Sequence, residues 1–219
     1  MSEFVVHTIP GSPFARAVFA TLEEKGARYR IAPMAPGSHK SPEHLARHPF
    51  GRVPVLEHDG FMLYETAAIL RYLDRVLPNP ALTPADVKRA ARMDQVMNIN
   101  DWYLFQGVAS VIIFHRVIGP RLAGLAPDEV AIAEAMPKAR VVFAELARLL
   151  GDQPYLAGDS VSLADLIAAP GIAFFTMTPE WAELGAPRHN LAAWLARMEA
   201  RPSMQATTWE RVSELAKAA

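Results

Sequence analysis

Phe50-Gly51-Arg52-Val53-Pro54-Val55-Leu56-Glu57-His58-Asp59-Gly60-Phe61-Met62-Leu63-Tyr64-Glu65-Thr66-Ala67-Ala68-Ile69-Leu70 decides the fold. Val53 to His58 is apolar and β-branched and reads as a strand with a proline at its second position. Asp59-Gly60 is a two-residue hairpin signal of type I′, because both central residues of that turn need positive φ. Phe61 to Leu63 is then the return strand. From Ala67 to Val76 the apolar residues Ala68, Ile69, Tyr72, Leu73 and Val76 fall at helical spacing. Proline cannot donate to a ladder, so Pro54 either opens an edge strand or follows a cis bond. A cis bond would turn the Val53 backbone outward, where it can pair with an extended peptide. Glu65-Thr66 stands at the start of the helix, where N–H groups lack partners and the dipole is positive. It is either a plain cap or a receptor for an amino acid end, with the Glu65 carboxylate on an ammonium and Thr66 on a carboxylate.

Outward from this stretch, Phe4 to Ile9 is a buried-type strand ended by Pro10-Gly11. Ser12-Pro13 opens a helix over Phe14 to Lys25, closed by Gly26. Tyr29 to Met34 is a second strand, so the chain begins with a βαβ unit. Ala35 to Ser41 is a loop and Pro42 to His48 a short helix. Residues 78–85 hold three prolines and form a linker. Beyond it every pattern is helical: Asp86 to Val117 as one long helix, Pro127 to Leu150 with a kink or break at Pro137, Leu163 to Phe175, Asn190 to Ala200, and Pro202 to Ala218. Ser162 and Asp165 have capping-box spacing before the third of these. The expected fold is therefore an α/β domain over 1–77, the linker, and an all-α domain over 86–219.

At 219 residues with 51% hydrophobic composition the chain can bury a sizeable core. A formal charge of -1 with no like-charge block gives no electrostatic case for nucleic acid or an anionic membrane. There is no cysteine, which excludes disulfides, thiolate metal sites and a cysteine nucleophile. The seven histidines lack metal-ligand spacing, so no metal is expected. Met1 to Phe4 does not read as a secretory signal, and no apolar run reaches the ~18 residues of a membrane helix. A soluble, cytoplasmic protein is expected.

Ser12 is an N-cap, or it turns its hydroxyl to a ligand thiol at the positive end of the helix. Hydrogen bonding and the dipole both favour a thiolate, and a fall of two pKa units requires about 2.7 kcal/mol. Arg16, one turn on, can add positive potential. A Ser-His-Asp triad is poorly supported, because Ser12 has no nucleophile-elbow context.

These residues resemble a family. Ser12-Pro13-Phe14, Thr21-Leu22-Glu23-Glu24-Lys25-Gly26, His39-Lys40-Ser41-Pro42-Glu43, Pro49-Phe50-Gly51-Arg52-Val53-Pro54-Val55-Leu56, Tyr64-Glu65-Thr66-Ala67-Ala68-Ile69 and Ser162-Leu163-Ala164-Asp165 are, in this order, similar to the soluble glutathione S-transferases. The resemblance is closest to Ser-type members, phi and theta classes and their bacterial relatives, and it covers essentially the whole chain. It implies a thioredoxin-like N-terminal domain, a helical C-terminal domain, a homodimer and glutathione as cosubstrate. It assigns Ser12 to the glutathione thiolate, His39 and Lys40 to the glycine carboxylate, Val53 before a cis Pro54 to the cysteinyl backbone, and Glu65 and Thr66 to the γ-glutamyl end. Arg52 stands where phi enzymes usually carry Gln, and its charge is assigned to the glycine carboxylate. Thr66 replaces the usual Ser, and Arg16 fits the theta pattern better than the phi one.

The resemblance implies conjugation of the glutathione thiolate to small hydrophobic electrophiles. A peroxidase or lyase on the same site, and a non-catalytic interaction module, are the alternatives. The electrophile is expected against Phe14 and against Trp102, Tyr103, Gln106 and Ser110, which fall at roughly helical spacing and are otherwise core. Phe50 is either a key for a partner subunit or a buried loop anchor.

Overall fold

The computed structural model describes residues 3–218. The chain forms two compact units, one of residues up to Leu82 together with those from Ala200 onward, the other Thr83–Glu199. In the first, the strands are β1 (Phe4–Thr8), β2 (Tyr29–Pro33), β3 (Val55–His58) and β4 (Phe61–Tyr64), with helices α1 (Pro13–Glu24), α2 (Pro42–Arg47) and α3 (Thr66–Val76). The sheet order is β2-β1-β3-β4, with β1 and β2 parallel and the other pairs antiparallel. Val6 sits opposite Ile31 on one side and Leu56 on the other, and all three are buried. Helix α1 packs against α3, and Phe19, Leu22, Ile69, Leu70 and Leu73 close the core there.

The hairpin forms as its turn requires, with φ of 50° at Asp59 and 81° at Gly60. Strand β3 starts at Val55, so Val53 and Pro54 precede it rather than open it. Residues Ser38–Lys40 form a 3-10 turn inside the expected loop. Lys25 closes α1 and donates from a fully buried ammonium to Asp74 Oδ1 at 2.5 Å and to the Pro80 carbonyl at 2.6 Å. Asp74 also accepts the Leu82 N–H at 2.9 Å, so one buried carboxylate holds the end of the unit to α3.

The second unit contains α4 (Val87–Ile99), α5 (Ser110–Ile113), α6 (Gly119–Ala123), α7 (Glu129–Leu150), α8 (Leu163–Phe175), α9 (Trp181–Leu184) and α10 (His189–Glu199). The expected single helix over Asp86 to Val117 is not continuous. Wider turns follow α4, and the backbone leaves helical geometry at Gln106 (φ -74°, ψ 113°) and Gly107 (φ 76°). Residues 87–123 are nonetheless long and apolar enough, by length and composition alone, to cross a membrane, which the run-by-run reading of the sequence overlooks. Their Met93, Val96, Leu104, Val108 and Ile112 are core residues of this unit.

Pro137 does not break α7, which runs from Glu129 to Leu150. The carbonyl it leaves without a donor is that of Ala133; both residues are exposed, so water can serve there. Helix α8 is buried on nearly every side and packs against α4 and α10. The expected terminal helix is two, α11 (Pro202–Ala206) and α12 (Trp209–Ala218). Thr208 accepts the Arg211 N–H at 3.3 Å and so starts the second. Both belong to the first unit, where α11 packs on α1 and α12 on β2.

Candidate active site

Strand register brings the candidate residues to one end of the sheet. β1 ends at Thr8 opposite Pro33 of β2, and its His7 lies opposite Val55, the first residue of β3. Val55 in turn lies opposite Tyr64, the last of β4. Ser12 after β1, His39-Lys40 after β2, Arg52-Val53 before β3 and Glu65-Thr66 after β4 therefore all leave the sheet at the same end.

Ser12 is the N-cap of α1 and its Oγ accepts the Ala15 N–H at 3.3 Å. The cap uses a lone pair and leaves the hydroxyl proton for an acceptor. The residue is half-buried. Arg16 turns its guanidinium to the C-terminal segment, donating to the Met204 carbonyl at 2.9 Å.

Glu65 precedes α3 at φ 69°, ψ 113°, a backbone conformation that costs a non-glycine residue about 1–3 kcal/mol. Its side chain is exposed and makes no capping hydrogen bond. Thr66 is the buried first residue of the helix. The first-turn N–H groups of α3 open at the same place.

Val53 lies beyond the paired residues of β3, and the Val53-Pro54 bond is cis. His44, buried on α2, donates from Nε2 to the Arg52 carbonyl at 2.7 Å and fixes the backbone just before Val53. Gly51, at φ 59°, lets the His39 carbonyl approach so closely that a methyl group would lie 3.1 Å from it. The 3-10 turn carrying His39 and exposed Lys40 is thereby seated against the Arg52-Val53 segment.

The His48 ring lies against Tyr64 with centroids 4.6 Å apart and planes tilted by 31°. Burial lowers the His48 pKa, against the pull of the Glu65 carboxylate. His44 on α2 and His48 at its C-cap form an i, i+4 pair, a spacing visible in the sequence that the sequence reading gave no role. Phe50 is 70% exposed, so the buried-anchor alternative fails.

The N-terminal family model for glutathione S-transferases matches residues 2–75, and the C-terminal one matches residues 105–202. A probable glutathione S-transferase of Oryza sativa subsp. japonica is 36% identical over 188 residues, covering 85% of this chain and 86% of its own. This chain belongs to the glutathione S-transferase family. Glutathione S-transferase 1 of Zea mays is likewise 36% identical, over 84% of this chain and 86% of its own. Among solved structures, glutathione transferase F7 of Populus trichocarpa superposes with a TM-score of 0.83 at 28% identity, covering 97% of this chain and 99% of its own. A maize glutathione S-transferase I solved with an atrazine glutathione conjugate gives 0.80 at 30% identity, with 98% of both chains covered. These relatives are plant proteins, so they carry the family and not the bacterial placement.

For this transferase, the thioredoxin-like N-terminal domain and helical C-terminal domain are those of the family. In its second unit Trp102 and Tyr103 are 62% and 56% exposed and so are not core. Gln106 is exposed and its carbonyl accepts the Lys138 ammonium. Because the chain turns at Gln106-Gly107, Trp102, Tyr103, Gln106 and Ser110 do not share a continuous helical face; Ser110 instead accepts the Gly107 N–H at 3.1 Å. In the first unit Phe14 is half-buried on the first turn of α1. Among the described residues no group of three His, Cys, Asp or Glu is placed to hold a metal.

Proposed function

We propose that this transferase is a Ser-type enzyme that binds glutathione at the sheet end described above and adds its thiolate to small hydrophobic electrophiles. The observation that carries this reading is the shared exit of four loops, bearing Ser12, His39-Lys40, Arg52-Val53 and Glu65-Thr66, at one end of the sheet. Ser12 donates its hydroxyl proton to the sulfur at the positive end of α1. The Val53 backbone pairs with the cysteinyl part. Glu65 takes the γ-glutamyl ammonium, and Thr66 with the first turn of α3 takes its carboxylate. His39, Lys40 and Arg52 hold the glycine carboxylate. Phe14, on the first turn of α1, meets the electrophile. Holding the two reactants together and ionising the thiol supply the rate. A cytoplasmic homodimer with exposed Phe50 at its interface completes the proposal.

Glu65→Gln keeps the shape of the side chain and removes the charge. A charge-assisted hydrogen bond is worth about 1.5–3 kcal/mol, so calorimetric titration should show glutathione binding weakened by about 10- to 100-fold. Unchanged affinity would remove Glu65 from the site. Failure of the native protein to bind glutathione at millimolar concentration would sink the proposal as a whole.

A further inference from the structure

The C-terminal segment runs along α1 in the opposite direction and is fastened to it at three levels. At the end of α1, Arg201 donates from Nε and Nη2 to the two oxygens of Glu24, both at 2.7 Å, and Ser203 donates to the same carboxylate. One turn from the start of the helix, Arg16 donates to the Met204 carbonyl at 2.9 Å. At the start itself the indole of Trp209 lies on Gly11. A methyl group built on Gly11 would stand 2.4 Å from Cε2 and 2.7 Å from Cζ2 of that ring.

Gly11 is the residue before Ser12. It holds φ at 94°, inside the turn in which the Ser12 N–H donates to the Ile9 carbonyl at 3.2 Å. Glycine visits positive and negative φ almost equally well, so the residue that sets the direction of Ser12 is also the loosest point of the backbone. A flat ring filling the place of its missing side chain takes that freedom away. The other fastenings, at Arg16 and Glu24, keep the ring in place by holding the segment that carries it.

We propose that Trp209 is a positioning residue for Ser12, which it aims at the glutathione sulfur by pressing on Gly11. The proposal rests on the reading of Ser12 as the thiolate's donor. Trp209 touches no reacting atom in it. The gain is directional: a hydroxyl held in one orientation stabilises the thiolate fully, and a hydroxyl that wanders with its turn does so only part of the time.

The test uses the full chain with Trp209→Ala and Trp209→Phe, and three readouts. The ultraviolet absorbance of the thiolate across pH gives the pKa of bound glutathione. Titration with S-methylglutathione, which has no thiol to ionise, reports on the rest of the site. Urea unfolding reports on stability. The alanine variant should raise the bound-thiol pKa by about one unit, a tenfold loss of thiolate at lower pH, with S-methylglutathione affinity changed less than about twofold. The phenylalanine variant should recover most of the shift. If Trp209→Ala does not fold, Trp209→Leu takes its place, and a partial rise is expected from it. A folded variant whose bound thiol titrates as in the native protein overturns the role of Trp209 and leaves Ser12 untouched. A native protein that binds glutathione with an unshifted thiol overturns the reading of Ser12, and this proposal with it.

Discussion

Ser12→Ala is expected to raise the pKa of the bound glutathione thiol by about two units, back to the ordinary thiol value near 8.5. The hydroxyl of Ser12 is half-buried, already accepts the Ala15 N–H, and has one proton left to give. A proton donated to the sulfur stabilises its charged form only, so the whole effect appears in the ionisation. The sign can be checked across pH. Well below the native thiol pKa both proteins hold mostly thiol, and the variant should be about 100-fold poorer in thiolate. Above pH ~8.5 both hold thiolate and the two should converge, apart from any difference in intrinsic nucleophilicity. A deficit that stays constant over the whole range would place the effect elsewhere than in the sulfur. Losing the cap also costs the helix typically ~1 kcal/mol. Ser12→Gly separates the two effects, since glycine caps nearly as well and has no hydroxyl. Ser12→Gly should match Ser12→Ala in its thiol titration while retaining more stability. If Ser12→Gly instead ionises the thiol like the native protein, the end of α1 is the activator and Ser12 only its cap.

Much of the first unit was legible because its signals are local. Asp59-Gly60 demands positive φ at both positions, and both have it. Ser12-Pro13 and Ser41-Pro42 each start a helix, with the serine hydroxyl accepting an N–H three residues on. Ser12, Val53 and Glu65-Thr66 could be singled out because each stands at an element boundary, where helix ends and strand ends expose backbone groups, whereas His39, Lys40 and Arg52 were named only through the family resemblance. What was not legible depends on pairs remote in sequence. Arg201 and Glu24 are 177 residues apart, and nothing in the spacing of residues 202–218 tells that they return to α1. His44 holding the Arg52 carbonyl is local enough to suspect, but one histidine on a short helix has many uses.

Periodicity misled in the second unit for two physical reasons. An isolated glycine inside an apolar helical pattern is tolerated, so Gly107 looked like a passenger; it is a turn with φ 76°. A proline inside such a pattern usually kinks or ends a helix. At Pro137 the residue whose carbonyl loses its donor is exposed, and the buried Ala135, Met136 and Ala139 anchor the helix on both sides of the proline, so it is not broken. Gly107 and Pro137 are both exposed, yet only at the first does the backbone leave helical geometry, so exposure alone does not decide whether a breaker breaks.

Asp165 is the position where a single change should cost most in stability. It is fully buried at the start of α8, and its two oxygens accept four donors: the Leu156 N–H at 2.8 Å, the Trp194 Nε1–H at 2.8 Å, and the Ser162 N–H at 2.9 Å and hydroxyl at 2.7 Å. One carboxyl group thus ties the loop before α8, the cap of α8 and the largest side chain of α10. Asp165→Ala strands all four donors away from water, each at about 1–3 kcal/mol in principle, and a total loss of about 4 kcal/mol is expected in urea unfolding. Asp165→Asn keeps the acceptor for Leu156 and Trp194 but sets an amide against the Ser162 N–H, so roughly half that loss is expected. Burial pushes the Asp165 pKa up, against the four donors that pull it down. The folded chain then holds this proton more tightly than the unfolded one, and the stability this confers is complete below the ordinary aspartate pKa of about 3.9 and drains away as pH rises to the raised value. The asparagine variant has no such proton. Its deficit relative to the native protein should therefore be larger in acid than at neutrality. A deficit that grows with pH instead would mean that the four donors outweigh burial and that the pKa lies below the ordinary value.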